Sequence, residues 1–244
     1  MKNTVNEAFI QRRAKLARWS SLIGLGVLFL GLVASFNQQY FYWSLPALII
    51  GFLLANVSGF NANRYLKEPR PDQVLVKVLR GFDNSYHLFN YTAPIPHVLL
   101  TPSHIYALLV KPQEGVIRVR GKRWGRAFSL RRVFLLFGEE SLGNPPRDAL
   151  AEANRLYGQL QKAFGDEAPA VEPVVIFTNP GVELDMGDAS SAEEFDAPVL
   201  TGSALKKYIR AQPKGEAFSR DLRQRLASFL RGRAVSQEDE DDAE

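Results

Sequence analysis

The sequence predicts a mixed domain, α/β or α+β, carried behind a two-helix membrane hairpin. Three observations predict it. Two apolar stretches of near-bilayer length stand back to back in the first quarter of the chain. After them, short runs rich in β-branched and aromatic residues alternate with turn residues. A long amphipathic helix then interrupts the strands, as a crossover connection does.

The first stretch, "WSSLIGLGVLFLGLVASF" (Trp19–Phe36), has 18 residues and no charge, and the second, "FYWSLPALIIGFLLANVSGF" (Phe41–Phe60), adds 20. About 20 apolar residues cross the hydrocarbon core as a helix. Only "NQQY" lies between them, so an antiparallel hairpin is expected, and a cleaved signal peptide would not be followed at once by a second span. Tyr40, Phe41, Tyr42 and Trp43 suit one interface. Pro46 falls in the first turn of the second helix, where a missing N–H does little harm. Ala47, Gly51, Ala55 and Gly59 recur every fourth residue and should pack on the first span. Lys2, Arg12, Arg13, Lys15 and Arg18 precede the hairpin, Arg64, Lys67 and Arg70 follow it, and the loop has neither Lys nor Arg. The positive-inside rule then puts residues 1–18 and everything after the second span in the cytoplasm.

Beyond a linker at 61–70, a soluble domain is expected over 71–232. "DQVLVKVLRGF" carries Val74, Leu75, Val78 and Leu79 at helical spacing. "YHLFNYT", "PHVLLTP", "HIYALLVKP" and "GVIRVRG" read as strands, and "RAFSLRRVFLLFG" as a further one. "PRDALAEANRLYGQLQKAFG" is an amphipathic helix with Leu150, Ala153, Leu156, Tyr157, Leu160 and Phe164 on one side. "EPVVIFTNPG" is a buried strand, and "PVLTGSALKKYIR" a short strand and then a helix capped at Ser203. "SRDLRQRLASFL" places Leu222, Leu226, Phe229 and Leu230 on one face behind a cap at Ser219. Residues 233–244 read as a disordered acidic tail.

Cysteine is absent, which excludes disulfides and thiolate metal sites. Six of the 26 acids lie in the last seven residues, which leaves 20 acids against 30 basic groups in the body of the chain. A basic body fits an anionic partner, nucleic acid or lipid headgroups. No loop has the spacing of a phosphate-binding P-loop. His87, His97 and His104 have no acidic neighbours in sequence, which argues against a zinc hydrolase. Ser103 and His104, adjacent on a strand, would point to opposite faces and could not pair as nucleophile and base.

The soluble segment resembles the NERD (nuclease-related) domain of bacterial proteins, within the restriction-endonuclease-like group with PD-(D/E)xK sites. "PHVLLTPSHIYALLVKPQEGVIRVRGKRW" is similar to the family's strand, Pro turn, second strand ending in Lys, then Gly and a later Trp. "GNPPRDALAEANRLYGQL" resembles its Asn-Pro helix, and "VVIFTNPGVEL" and "PVLTGSALKKYI" its last strand and terminal helix. The resemblance covers about Pro71–Ile209 and implies a restriction-endonuclease-like mixed sheet flanked by helices, at a bacterial cytoplasmic membrane. Such nucleases hold Mg²⁺ with carboxylates from two strands. Here the Asp position reads Pro96 and the Glu position Leu109. Lys111 is retained two residues later, and Asp72 and Asp148 are the remaining catalytic candidates. An apolar Leu109 can neither ligate Mg²⁺ nor accept a proton. The resemblance therefore implies a domain without its nuclease chemistry, needing no small-molecule cofactor. An active Mg²⁺-dependent nuclease with relocated ligands is the first alternative. A membrane-tethered scaffold for a protein partner is the second.

Basic residues crowd the segment after the two central strands: Arg118, Arg120, Lys122, Arg123, Arg126, Arg131 and Arg132, with Trp124 among them. With Lys111 they form the expected anion-binding set. Such a ribbon can hold a phosphate backbone and stack a base, press on anionic lipid, or be an edge strand guarded by its charges.

Overall fold

The structure is a computed structural model that describes residues 1–121, 123–126, 141–186, 195–213 and 215–241, with side chains as far as 232. The chain forms two compact units. One consists of Met1–Ala8, Pro71–Ala127 and Leu142–Glu244, and the other is built on Phe9–Arg70.

In the second unit, α1 (Glu7–Ser35) and α2 (Ser44–Asn61) are joined through a single 3₁₀ turn at Phe41–Trp43. Both are long and apolar enough to cross a membrane. Small residues set their approach. A Cβ on Gly51 would lie 2.4 Å from Leu28 Cγ, and one on Gly31 would lie 2.7 Å from Ala47 Cβ. The stripe on α2 therefore packs on α1, and the Ser58 hydroxyl donates to Ala17 O at 2.8 Å near the other end. The expected linker is partly helical: α2 runs on as a π-helix over Ala62–Leu66.

The first unit is mixed α/β. Its described strands are β1 (Lys2–Val5), β2 (His87–Asn90), β3 (His97–Leu100), β4 (Ile105–Lys111), β5 (Gly115–Arg120), β6 (Arg123–Arg126), β7 (Val171–Phe177), β8 (Val182–Asp185) and β9 (Val199–Thr201). Its described helices are α3 (Pro71–Val78), α4 (Pro145–Phe164), α5 (Gly202–Ala211) and α6 (Arg220–Asp241). Among the described residues one sheet has the order β1-β2-β3-β4-β7-β9 and a smaller one β6-β5-β8. β2, β3 and β4 form an antiparallel meander, and β7 returns parallel to β4 through α4. The central strand β4, "IYALLVK", is buried throughout, as a strand covered on both faces must be. Leu108 and Val110 join Leu75 of α3, Leu79 just after it and Leu205 of α5 on one face. Ala107 joins Ala153, Leu156 and Leu160 of α4 and Leu226 and Leu230 of α6 on the other.

Three local readings change. The helix at 202 has Thr201 rather than Ser203 at its N-cap, and the two hydroxyls bond each other at 3.0 Å. Ser219 does cap the last helix, its Oγ accepting from Leu222 N at 3.1 Å. That helix continues through the acidic tail as far as Asp241, since no Pro or Gly interrupts it after Gly232. On α4 the inward face is led by Ala149 rather than Leu150. The strand expected over "RAFSLRRVFLLFG" lies outside the described residues, apart from Arg126.

The largest departure is at the start of the chain. Residues expected only to flank the membrane form β1, the edge strand, parallel to β2 with Lys2 opposite His87 and Val5 opposite Asn90. Side chains fix it: Asn90 Nδ2 donates to Asn3 Oδ1 at 2.9 Å, His97 Nδ1 bonds Asn90 Oδ1 at 2.8 Å, and His87 Nε2 bonds Thr4 Oγ1 at 2.8 Å. His87 is 6% exposed. Burial, followed by the charges of Arg231, Lys2 and Arg223, pushes its imidazole down to about 4. The sign follows directly: the unfolded chain takes up this proton near pH 6.5 and the folded one only near 4. Stability is thus intact above pH 6.5 and is lost as pH falls from 6.5 through 4, by on the order of 2–3 kcal/mol. In urea titrations the His87→Gln chain should lose much less stability between pH 7 and pH 4.5 than the wild type.

Candidate functional site

The nuclease-type reading converges on the end of β4, where the structure can be checked residue by residue. Val98 pairs with Ala107 at this end of the β3–β4 ladder; Leu109 stands beyond it on β4, and Pro96 lies in the bend before β3. Leu109 and Lys111, two residues apart on β4, face the same side, and the positions that would carry the acids are Pro96 and Leu109. Neither position offers a ligand. Leu109, 6% exposed, sits in an apolar cluster with Ile117, Ala149, Val175, Phe177 and Ala197. The Pro96 carbonyl accepts from Tyr91 N at 2.7 Å, which holds the loop before β3.

Lys111 is 3% exposed, and its Nζ lies 3.8 Å from Asp148 Oδ2. Asp148 falls in the first turn of α4, where a carboxylate suits the positive end of the helix dipole. That turn is set by Asn144, whose Oδ1 accepts from Arg147 N at 3.3 Å, and by Pro145 and Pro146 behind it. Gly143 has φ +60°, and a Cβ there would stand 2.9 Å from Asp148 Oδ2, so only glycine leaves the carboxylate its place. The Lys111 ammonium is thus held inside the fold by its own carboxylate, and its expected place in the exposed anion-binding set is corrected accordingly. A buried cation needs such a partner.

Asp72, the other candidate acid, is buried on α3. α3 packs on the face lined by Leu108 and Val110, whereas Ala149 of α4 packs beside Leu109. Asp72 and Asp148 therefore belong to helices on opposite faces of the sheet. Among the described residues no group of three His, Asp or Glu side chains could hold a metal ion.

The basic ribbon is a real hairpin, and it divides its residues by face. Ile117 turns inward to the Leu109 cluster and Val119 is buried, while Arg118 and Arg120 are exposed. Trp124, opposite Val119, turns inward as well, against that cluster and 5.4 Å from the Phe195 ring. It is half-buried, on the same side as its inward register partner. Arg126 is opposite Ile117, half-buried, and donates from Nη2 to Glu114 O at 3.0 Å. Arg123 is exposed and directly opposite Arg120. Arg118 Nε stands 3.8 Å from Asp185 Oδ2 on β8, and Glu183 lies on the same outward face. Lys122, Arg131 and Arg132 lie outside the described residues.

A third cluster corrects the reading of Ser103 and His104. They lie in the turn between β3 and β4 rather than on a strand, and Ser103 Oγ bonds His104 Nδ1 at 2.8 Å. His104 also has an acidic neighbour, Glu172 of β7, with Nε2 3.7 Å from Oε1. Burial raises the Glu172 carboxyl, against the lowering effect of His104. The two amides of the turn are taken up within it, since Thr101 Oγ1 accepts from both His104 N (2.8 Å) and Ser103 N (3.4 Å). The turn is also tied to the last third of the chain, Pro102 O accepting from Phe218 N at 2.9 Å. Sequence spacing could not show Glu172, because parallel pairing of β4 and β7 brings it in from 68 residues away.

No family model, curated protein or solved structure matches this chain.

Proposed function

We propose that this is a membrane-anchored, cytoplasm-facing protein whose globular unit is a NERD-like, restriction-endonuclease-like domain that has lost its chemistry and binds nucleic acid. What supports the family reading is order and register. A helix, a three-stranded meander, a crossover helix and a parallel strand follow one another, and Leu109 and Lys111 share one face at the end of β4. What supports inactivity is the apolar packing of Leu109. Membrane anchoring is supported by α1 and α2, both long and apolar enough to cross a bilayer, and a bacterial cytoplasmic membrane is what the family reading implies. The shared side of both flanks is supported by chain connectivity, for β1 before the first span and α3 after the second belong to one unit. The connecting loop, without Lys or Arg, then faces away from the cytoplasm.

The observation that carries the binding proposal is the pairing of Arg120 with Arg123 at the tip of the β5–β6 hairpin. Like charges directly opposite one another destabilise a strand pair. A phosphate backbone lying between them turns that repulsion into two favourable contacts and releases counterions. Gel shifts on the full chain in detergent test this. The Arg120→Gln/Arg123→Gln chain should bind about tenfold or more weakly, with the salt dependence reduced by about two phosphate contacts. Its unfolding midpoint should be unchanged or higher. Unchanged affinity in this variant would overturn the assignment.

A further inference from the structure

We propose that the end of the hairpin next to the basic flanks is a site for anionic phospholipid, with Lys15 and Arg18 gripping the headgroup phosphates; this rests on the reading of α1 and α2 as membrane spans. On α1 the partner-facing side is marked by the buried Ile10, Ala17, Ser20, Gly24 and Gly31. At 100° per residue the opposite side carries Lys15, Trp19, Leu22 and Leu25 in succession, with Arg18 beside them. Lys15 and Arg18 are exposed, and Trp19, Leu22 and Leu25 are 63–67% exposed. The cations thus crown the same outward stripe that a bilayer would cover, and residues three apart on a helix are neighbours.

Depth agrees with azimuth. Trp19 to Phe36 spans 17 rises, or about 26 Å, against a hydrocarbon core of about 30 Å. With Trp19 and the Tyr40–Trp43 cluster at the two interfaces, Arg18 and Lys15 fall within the headgroups of one leaflet. Their long stems let the charges reach the phosphates while lying on apolar surface. Arg13 serves another role, its guanidinium 5.2 Å over the Phe9 ring, which meets Tyr65 edge-on at 5.7 Å. Glu7 and Glu68 are the acids of these flanks, against Arg12, Arg13, Lys15, Arg18, Arg64, Lys67 and Arg70. Charge complementarity therefore selects an anionic lipid over a zwitterionic one, by about fivefold for each cation engaged.

The test uses the full chain with Trp43→Phe, reconstituted into phosphatidylcholine–phosphatidylglycerol vesicles in which one lipid or the other is brominated. Trp19 then reports bromine in its own lipid shell, and Trp124 gives a constant background. Brominated phosphatidylglycerol should quench Trp19 several-fold more effectively than brominated phosphatidylcholine at equal mole fraction. That excess should vanish in the Lys15→Gln/Arg18→Gln chain and shrink at high salt. Equal quenching by the two lipids would overturn the inference while leaving the spans in place. Quenching by neither would overturn the bilayer reading itself, and the inference with it.

Discussion

Leu109→Glu, which puts back the acid that the nuclease pattern calls for, is expected to destabilise the sheet unit by about 3 kcal/mol or more and to yield no metal-dependent cleavage. The side chain at 109 meets Ile117, Ala149, Val175, Phe177 and Ala197. A carboxylate there loses its hydration and finds no donor in that apolar set. It can relieve the cost only by taking up a proton, which leaves a neutral acid that holds no Mg²⁺. Lys111, one pleat away, already has Asp148 as its counter-ion. Leu109→Met, of similar volume, should cost less than about 1.5 kcal/mol and serves as the control. Urea titrations of the three chains and a cleavage assay with Mg²⁺ decide the matter. A wild-type midpoint for Leu109→Glu, or cleavage that it gains, would show that the cluster is open to water and that position 109 is still a ligand site.

The second large effect concerns the start of the chain. A fragment of Pro71–Glu244 lacks β1, and its β2 presents an unpaired edge. Asn90 loses Asn3, and His87 loses Thr4. Each buried polar group left without its partner costs about 1–3 kcal/mol. Joining residues 1–8 to residue 71 through a flexible linker, in place of the hairpin, should restore a monomeric fold. The fragment without them should unfold about 2–4 kcal/mol more easily and self-associate. Equal midpoints and equal monomer content in the two fragments would show that β1 adds nothing to the sheet.

These two positions also show where the sequence is legible. The two long apolar helices, the buried strands and the amphipathic helices are read correctly because each carries a long pattern that its surroundings impose. The burial of Leu109 is legible in the same way, from the unbroken apolar run along β4. β1 is not legible: "KNTV" is four residues long, polar at three of them, and becomes a strand only because β2 offers an edge and Asn90 and His87 offer partners. Trp124 is misread because period 2 gives its alternation but not which of two faces is wet; pairing with Val119 decides that. Lys111 reads as an exposed strand-end cation because its counter-ion comes from α4, 37 residues on. The Ser103–His104–Glu172 cluster is hidden for a similar reason, with Glu172 arriving through a parallel pairing that no local pattern announces.

The account stands or falls on whether the globular unit binds polyanions without cutting them. The full chain in detergent is incubated with labelled single- and double-stranded DNA and RNA, with and without Mg²⁺ or Mn²⁺, and both the bound fraction and the cleaved fraction are scored from low to high salt. The account predicts binding that weakens steeply with salt, depends on Arg120 and Arg123, and leaves every strand intact whichever metal is added. Metal-dependent cleavage that survives purification and is lost on mutation of Asp148 or Asp72 would contradict it, and so would the absence of any binding at low salt.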